Sequence, residues 1–152
     1  MPQKQKGFTI IELIVTLMII VIVTAMALVF INPSAQLARA RNSKRIADVY
    51  AIATAIGNNM VNNRGIFTCT TGTISASSTR IATGTGNYNL APCLIPTYIS
   101  TLPFDPSTAS AHFTSINDYD TAYAIVKDAA TSRISVFAIY PELGASASTT
   151  IP

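Results

Sequence analysis

Residues 7–31 read GFTIIELIVTLMIIVIVTAMALVFI, and Asn32-Pro33 follow at once. From Phe8 to Ile31 the only ionisable side chain is that of Glu12. Wound as an α-helix at about 1.5 Å per residue, the stretch reaches ~36 Å, enough to cross the hydrocarbon core of a bilayer. The residues before it, Met-Pro-Gln-Lys-Gln-Lys-Gly, are short, basic and polar, with no capacity for a fold of their own, and residues 1–7 read as a leader. A conventional secretory signal has a shorter apolar core followed by a small-residue cleavage site. Here Leu28, Val29, Phe30 and Ile31 carry the apolar run past Ala25 and Ala27, so any cut falls before the run.

Asn32-Pro33 sets the far limit. Proline lacks an N–H and disfavours helical geometry in the residue before it, so a helix break is expected at Pro33. The resulting plan is a membrane-spanning helix over 8–31, an amphipathic continuation over 32–64 and a globular head over 65–152. Within the continuation, Ile46, Val49, Tyr50, Ala53, Ile56 and Met60 recur at three- and four-residue steps, which predicts one helical face packed on the sheet of the head. Gly57 and the asparagines at 58, 59, 62 and 63 weaken the helix, and Arg64-Gly65 offers an end. Residues 66–111, rich in Thr, Ser, Gly, Asn, Ala and Pro, read as a long surface connection with short β-compatible pieces at 73–75 and 79–83. Two better strands follow at Thr121–Val126 and Arg133–Tyr140, joined by a hairpin loop over Lys127–Ser132. The tail from Gly144 is expected to be mobile. The fold class is therefore α+β: a long N-terminal helix on a small antiparallel sheet.

Composition agrees with that plan. Of 152 residues, 49% are hydrophobic and only 11% charged, and the apolar excess lies before Pro33. The formal net charge of +3 includes Lys4 and Lys6; without the leader, eight basic and seven acidic residues leave +1. So small a total gives no bulk attraction to nucleic acid or anionic lipid. Arg39, Arg41, Lys44 and Arg45 form a basic cluster after the span; it reads as a solvated helix face partly neutralised by Asp48, with inter-subunit ion pairs or DNA contact as the alternatives. By loop counting this cluster opposes an orientation with the N-terminus inside. Cys69 and Cys93, without CxxC spacing, read as one disulfide in an exported head, with two free buried thiols as the alternative.

No catalytic residue and no cofactor is assigned. Gly84-Thr85-Gly86 lacks the third glycine and the following helix of a nucleotide fingerprint, and no Gly-x-Ser-x-Gly or His-Glu-x-x-His occurs. His112 is the sole histidine, which removes any multi-histidine metal site. Asn117, Asp118 and Asp120 supply oxygens that suit calcium, but without the EF-hand glycine and terminal glutamate ordinary loop solvation is the plainer reading. Glu12 is the one costly feature, since a carboxylate near the start of an apolar helix needs a partner cation in hydrocarbon.

Gly7-Phe8-Thr9-Ile10-Ile11-Glu12-Leu13, with lysines before it and an apolar helix after it, resembles the cleavage signature of type IV pilins and of the pseudopilins of type II secretion. The resemblance implies that a membrane prepilin peptidase cuts the Gly7–Phe8 bond on the cytoplasmic side and methylates the new Phe8 amine. It also implies that Glu12 serves assembly, with the Phe8 amine of a neighbouring subunit as its partner. The implied precursor is a single-pass protein of the inner membrane with its N-terminus inside. An assembly platform then builds it into an extracellular homo-oligomeric filament used for adhesion, motility or DNA uptake. The alternatives are a secretion pseudopilin and, from another class, a membrane-anchored binding protein that never polymerises. Tyr98-Ile99-Ser100-Thr101-Leu102-Pro103-Phe104-Asp105-Pro106 is similar to the Leu-Pro-x-Asp-Pro stretch of pseudopilin heads, but Ser107-Thr108 stands where an aromatic-Gly pair often follows.

Overall fold

The apolar run is helical over Ile10–Ile31 (α1) in the computed structural model, which describes residues 7–151. Lys4 and Lys6 of the expected leader lie outside the described residues. The chain divides into two units, Met1–Leu37 and Ala38–Pro152. At the end of α1, Asn32 takes a left-handed conformation (φ 45°), and Pro33 opens the second helix, α2 (Pro33–Asn62). Proline suits a first helical position because its missing N–H has no intrahelical partner there. Asn32 serves both helices. It closes α1, while its carbonyl accepts the N–H groups of Ala35 and Gln36, and its side-chain oxygen accepts from the Ser34 hydroxyl at 2.8 Å.

The second unit is built on an antiparallel sheet of five strands: β1 (Thr79–Ala82), β2 (His112–Ser115), β3 (Asp118–Lys127), β4 (Ile134–Ala138) and β5 (Ser148–Ile151). A one-turn helix, α3 (Ala91–Leu94), lies between β1 and β2 in sequence. The order is β1-β3-β4-β5, with β2 also paired to β3. Alternation along β4 sends Ile134, Val136 and Ala138 inward, as a period of two requires. Strand β3 is bulged against β1 near Ala122, which sits at φ 56°. The Asp120 carboxylate accepts the Ala122 N–H at 3.0 Å, and Thr121 Oγ1 bridges the Ile81 carbonyl and the Tyr123 N–H, so the misfit is fully hydrogen-bonded.

Three expectations are corrected here. The buried face of α2 is not centred on the apolar set read from the sequence. Val49, Ala53 and Ile56 are buried, but Ile46 (41% exposed) and Tyr50 (56%) face outward, and the buried stripe includes Asn42, Arg45, Asp48 and Asn59. The 66–111 connection is not confined to the surface, because Ile74, Ile81, Tyr88, Leu90, Leu94 and Leu102 all enter the core. The tail is not loose: Ser148–Ile151 pairs with β4, the Ser135 and Thr150 hydroxyls meeting at 2.8 Å, and β-branched Thr149, Thr150 and Ile151 suit a strand. Cys69 and Cys93 are joined in a disulfide. Closing a loop of that length stabilises a head by roughly 3 kcal/mol on the chain-entropy account.

The basic cluster behaves unlike a solvated face. Lys44 pairs with Asp48 at 2.9 Å, but Arg45 is fully buried with Asp105, both side chains having no solvent exposure. Every guanidinium N–H is used: Nε donates to Asp105 at 2.6 Å, Nη2 to Asp105 and to the Ser107 hydroxyl, and Nη1 to Asn42 and Glu142. Glu142 also receives Arg41 in bidentate fashion. Burial alone would push the Asp105 carboxyl up, but Arg45 and the Ser107 N–H and hydroxyl hold it down, to about 2. Glu142 is likewise lowered to about 2, by hydrogen bonds from Arg41 and then Arg45.

Removing one partner of a buried ion pair strands the other, which costs about 3–5 kcal/mol, so Arg45→Ala should unfold the detergent-solubilised chain at a much lower urea concentration. Arg41→Ala, at a pair one-third exposed, should move the urea midpoint far less. The pair also sets an acid limit. Both carboxyls lie below their ordinary values of 3.8 and 4.5, so their contribution is complete above those values and drains away as pH falls toward 2. The urea midpoint should therefore drop between about pH 5 and pH 2, and drop less steeply in Asp105→Asn.

Candidate functional site

Within the first unit, the residues singled out by the sequence occupy one short stretch. Phe8 is 82% exposed, and Thr9, in an extended conformation, caps α1. Its hydroxyl accepts the Glu12 N–H at 3.3 Å, and its carbonyl accepts the Leu13 N–H at 3.2 Å. Thr9-x-x-Glu12 is the pattern of a capping box, a signal in the sequence that our reading of the motif did not use. Only the first half of that box is made. Glu12 points away, exposed in the first turn, with no hydrogen-bond or ion-pair partner for its carboxylate among the described residues. A carboxylate at this end of a helix is favoured by the macrodipole, by about 0.3–1 kcal/mol.

Gly7 has no structural duty visible in the fold. A Cβ added there would meet nothing within 4 Å, and its backbone is not in the left-handed region. Beyond Glu12, α1 is apolar on every side. It carries 22 residues with a mean hydropathy of 3.1 over its most apolar window, and none is buried. A helix apolar all round belongs inside a protein core or inside a membrane. The two threonines along it do not break the pattern, because the Thr16 hydroxyl donates to the Leu13 carbonyl and that of Thr24 to the Ile20 carbonyl.

The remaining sequence candidates lie in the second unit and do not gather into a metal centre. Asp120 is gripped by Arg80, with both contacts at 2.7 Å, and Asp118 faces His112 Nε2 at 3.2 Å. Asn117 occupies the turn between β2 and β3. No group of three or more His, Cys, Asp or Glu side chains suited to a metal ion forms among the described residues. Sequence reasoning missed the Arg45–Asp105–Glu142 cluster. Its one visible trace was the Leu102-Pro103-Phe104-Asp105-Pro106 stretch, whose aspartate turns out to neutralise Arg45.

Residues 2–28 match the family described as Prokaryotic N-terminal methylation motif, the signal shared by type IV prepilins and pseudopilins. That motif marks a structural family rather than an enzyme class. No match was found among curated proteins or among solved structures. An apolar helix near the N-terminus together with this motif fits a membrane-anchored precursor.

A charge placed midway along α1 tests that anchorage. Arginine at a helix centre costs about 2.5–3.5 kcal/mol on the insertion scale, so Ile20→Arg should move much of the protein from the carbonate-resistant membrane pellet to the supernatant.

Proposed function

We propose that this chain is the structural subunit of an extracellular type IV pilus-like filament. A prepilin peptidase removes residues 1–7 and methylates the Phe8 amine, and an assembly platform lifts the subunit from the inner membrane into the growing polymer. The observation that carries the reading is Glu12: an exposed carboxylate at the head of an otherwise apolar helix, inside the matched motif, with no partner from the described part of its own chain. On this reading the cation is supplied from outside, by the free amine created at Phe8 of a neighbouring copy. Gly7 fits the same account. Nothing in the fold asks for glycine there, whereas a peptidase that needs a slender residue before the cut does.

Polymerisation replaces lipid with neighbouring helices around α1, so the apolar surface stays out of water through extraction. The break at Asn32-Pro33 lets the two helices be positioned separately during that transfer. A second reading, as a pseudopilin of type II secretion, is favoured by the Leu-Pro-x-Asp-Pro stretch at 102–106. It shares every step except the length and site of the polymer, and long head-labelled filaments on the cell surface decide for the pilus.

Intact-mass measurement of filaments sheared from cells should show loss of residues 1–7 and gain of one methyl group at Phe8. Glu12→Leu should leave cleavage and membrane insertion intact while sheared filaments fall to background. Retention of the first seven residues, or normal filament yield from Glu12→Leu, would overturn the assignment.

A further inference from the structure

The two ends of β3 carry surface features that the fold of the head does not require. At one end, β2 and β3 are joined by the two-residue turn Ile116-Asn117, since Ser115 pairs directly with Asp118. Tight turns draw on Gly, Asn and Asp for their backbone freedom. Ile116 offers none of that, takes no positive φ, and is 42% exposed at the tip. Beside it the Asp118 side chain is 63% exposed and faces His112 Nε2 at 3.2 Å, its one ion-pair contact among the described residues.

At the other end lies a cleft of about 330 Å³ lined by Ile66, Phe67, Ile74 and Ile134, with Lys127 in its wall. Gly65 and Ser132 also line it, and Arg64 and Arg133 adjoin them in sequence. Arg64, Lys127 and Arg133 have no ion pair among the described residues. Asp128, the nearest acid in sequence, accepts the Ala130 and Thr131 N–H groups of the turn through Oδ1 and forms no ion pair among the described residues, so the three cations outnumber it. One end of the strand thus presents an apolar knob beside a carboxylate, and the other an apolar hollow beside cations.

These surfaces cannot satisfy each other within one molecule, because the ten residues of β3 hold them about 30 Å apart. Between copies they form a heterologous pair, the kind of contact that propagates into an open polymer instead of closing a dimer. We propose that in the filament the Ile116-Asn117-Asp118 turn of one copy seats in the cleft of the next. Ile116 enters the apolar hollow, and the Asp118 carboxylate meets the Lys127 ammonium with Arg64 and Arg133 alongside. This contact between heads rests on the filament reading above.

Carbodiimide treatment of sheared filaments tests it on the unaltered chain. The activated Asp118 carboxyl would form an amide with Lys127 Nζ, the reagent leaving as its urea. Once residues 1–7 are gone, Lys44 and Lys127 are the only lysines, so the adduct is simple to map. A covalent ladder containing a 118–127 linked peptide is expected, lost in Asp118→Asn and also in Lys127→Arg, which keeps the ion pair but not the amine. Asp118→Lys should reduce filament yield or shear resistance, and combining it with Lys127→Glu should restore them. Filaments that form without the 118–127 adduct, and that tolerate Asp118→Lys unchanged, overturn this contact alone. Failure of the unaltered chain to form filaments at all overturns it together with the filament reading.

Discussion

The surface of α1 has to lose its water, and nothing among the described residues takes the water's place. Not one of its 22 residues is buried. Each large aliphatic side chain left wet forgoes about 1.5–3 kcal/mol, so the sum over the helix far exceeds the stability of any small domain. The polar groups that would soften this are withdrawn, the backbone into the helix and the Thr16 and Thr24 hydroxyls onto carbonyls one turn back. What is left is a cylinder with a single polar address, Glu12, and both lipid and a bundle of like helices satisfy it everywhere except there.

The head faces the reverse problem. Its helix brings a cation inward, and the interior must be polar at that point. Arg45 uses all its donors on Asp105, Ser107, Asn42 and Glu142, which ties α2 to two loops drawn from distant parts of the chain. Such a cluster adds little net stability over an apolar one, but it admits very few alternative packings, because any slippage strands a buried charge. It also alters the meaning of the basic cluster. Arg41, Lys44 and Arg45 each have a carboxylate in the folded head, so of the four only Arg39 remains without an ion pair among the described residues. The positive patch that invited thoughts of DNA is largely consumed by folding.

How far each element was legible follows from the range of the forces that make it. α1 needs only its own composition, and the stop at Asn32-Pro33 only local backbone chemistry, so both could be read directly. Ile134, Val136 and Ala138 announce β4 by alternation alone. The buried face of α2 resisted because Arg45, at its centre, is explained by residues 60 and 97 positions away, and a search restricted to apolar spacing rotates the helix toward Ile46 and Tyr50. Ser148–Ile151 had strand-forming residues, yet a four-residue strand declares itself only once β4 is there to pair with it. At the site, Gly7, Phe8 and Glu12 stood out as a motif, whereas the cap supplied by Thr9 was visible only to someone asking which N–H groups the first turn leaves free.

Magnitudes decide what Glu12 requires. The helix dipole favours a carboxylate in the first turn by about 0.3–1 kcal/mol. Carrying a charged side chain to the centre of a span costs about 2.5–3.5 kcal/mol on the insertion scale, and Glu12, in the first turn of α1, lies short of that centre. The dipole offsets part of the penalty at that depth, and the Thr9 hydroxyl contributes nothing to the carboxylate, since it accepts a hydrogen bond from the Glu12 N–H. On the filament reading, the compensating cation is the amine of another copy. On that reading each copy acquires one when its leader is removed, because cutting before Phe8 turns a neutral amide into an amine. On the filament reading, processing and assembly are thus coupled by charge: the cut that frees the helix for extraction also creates the group that answers Glu12 on the next subunit.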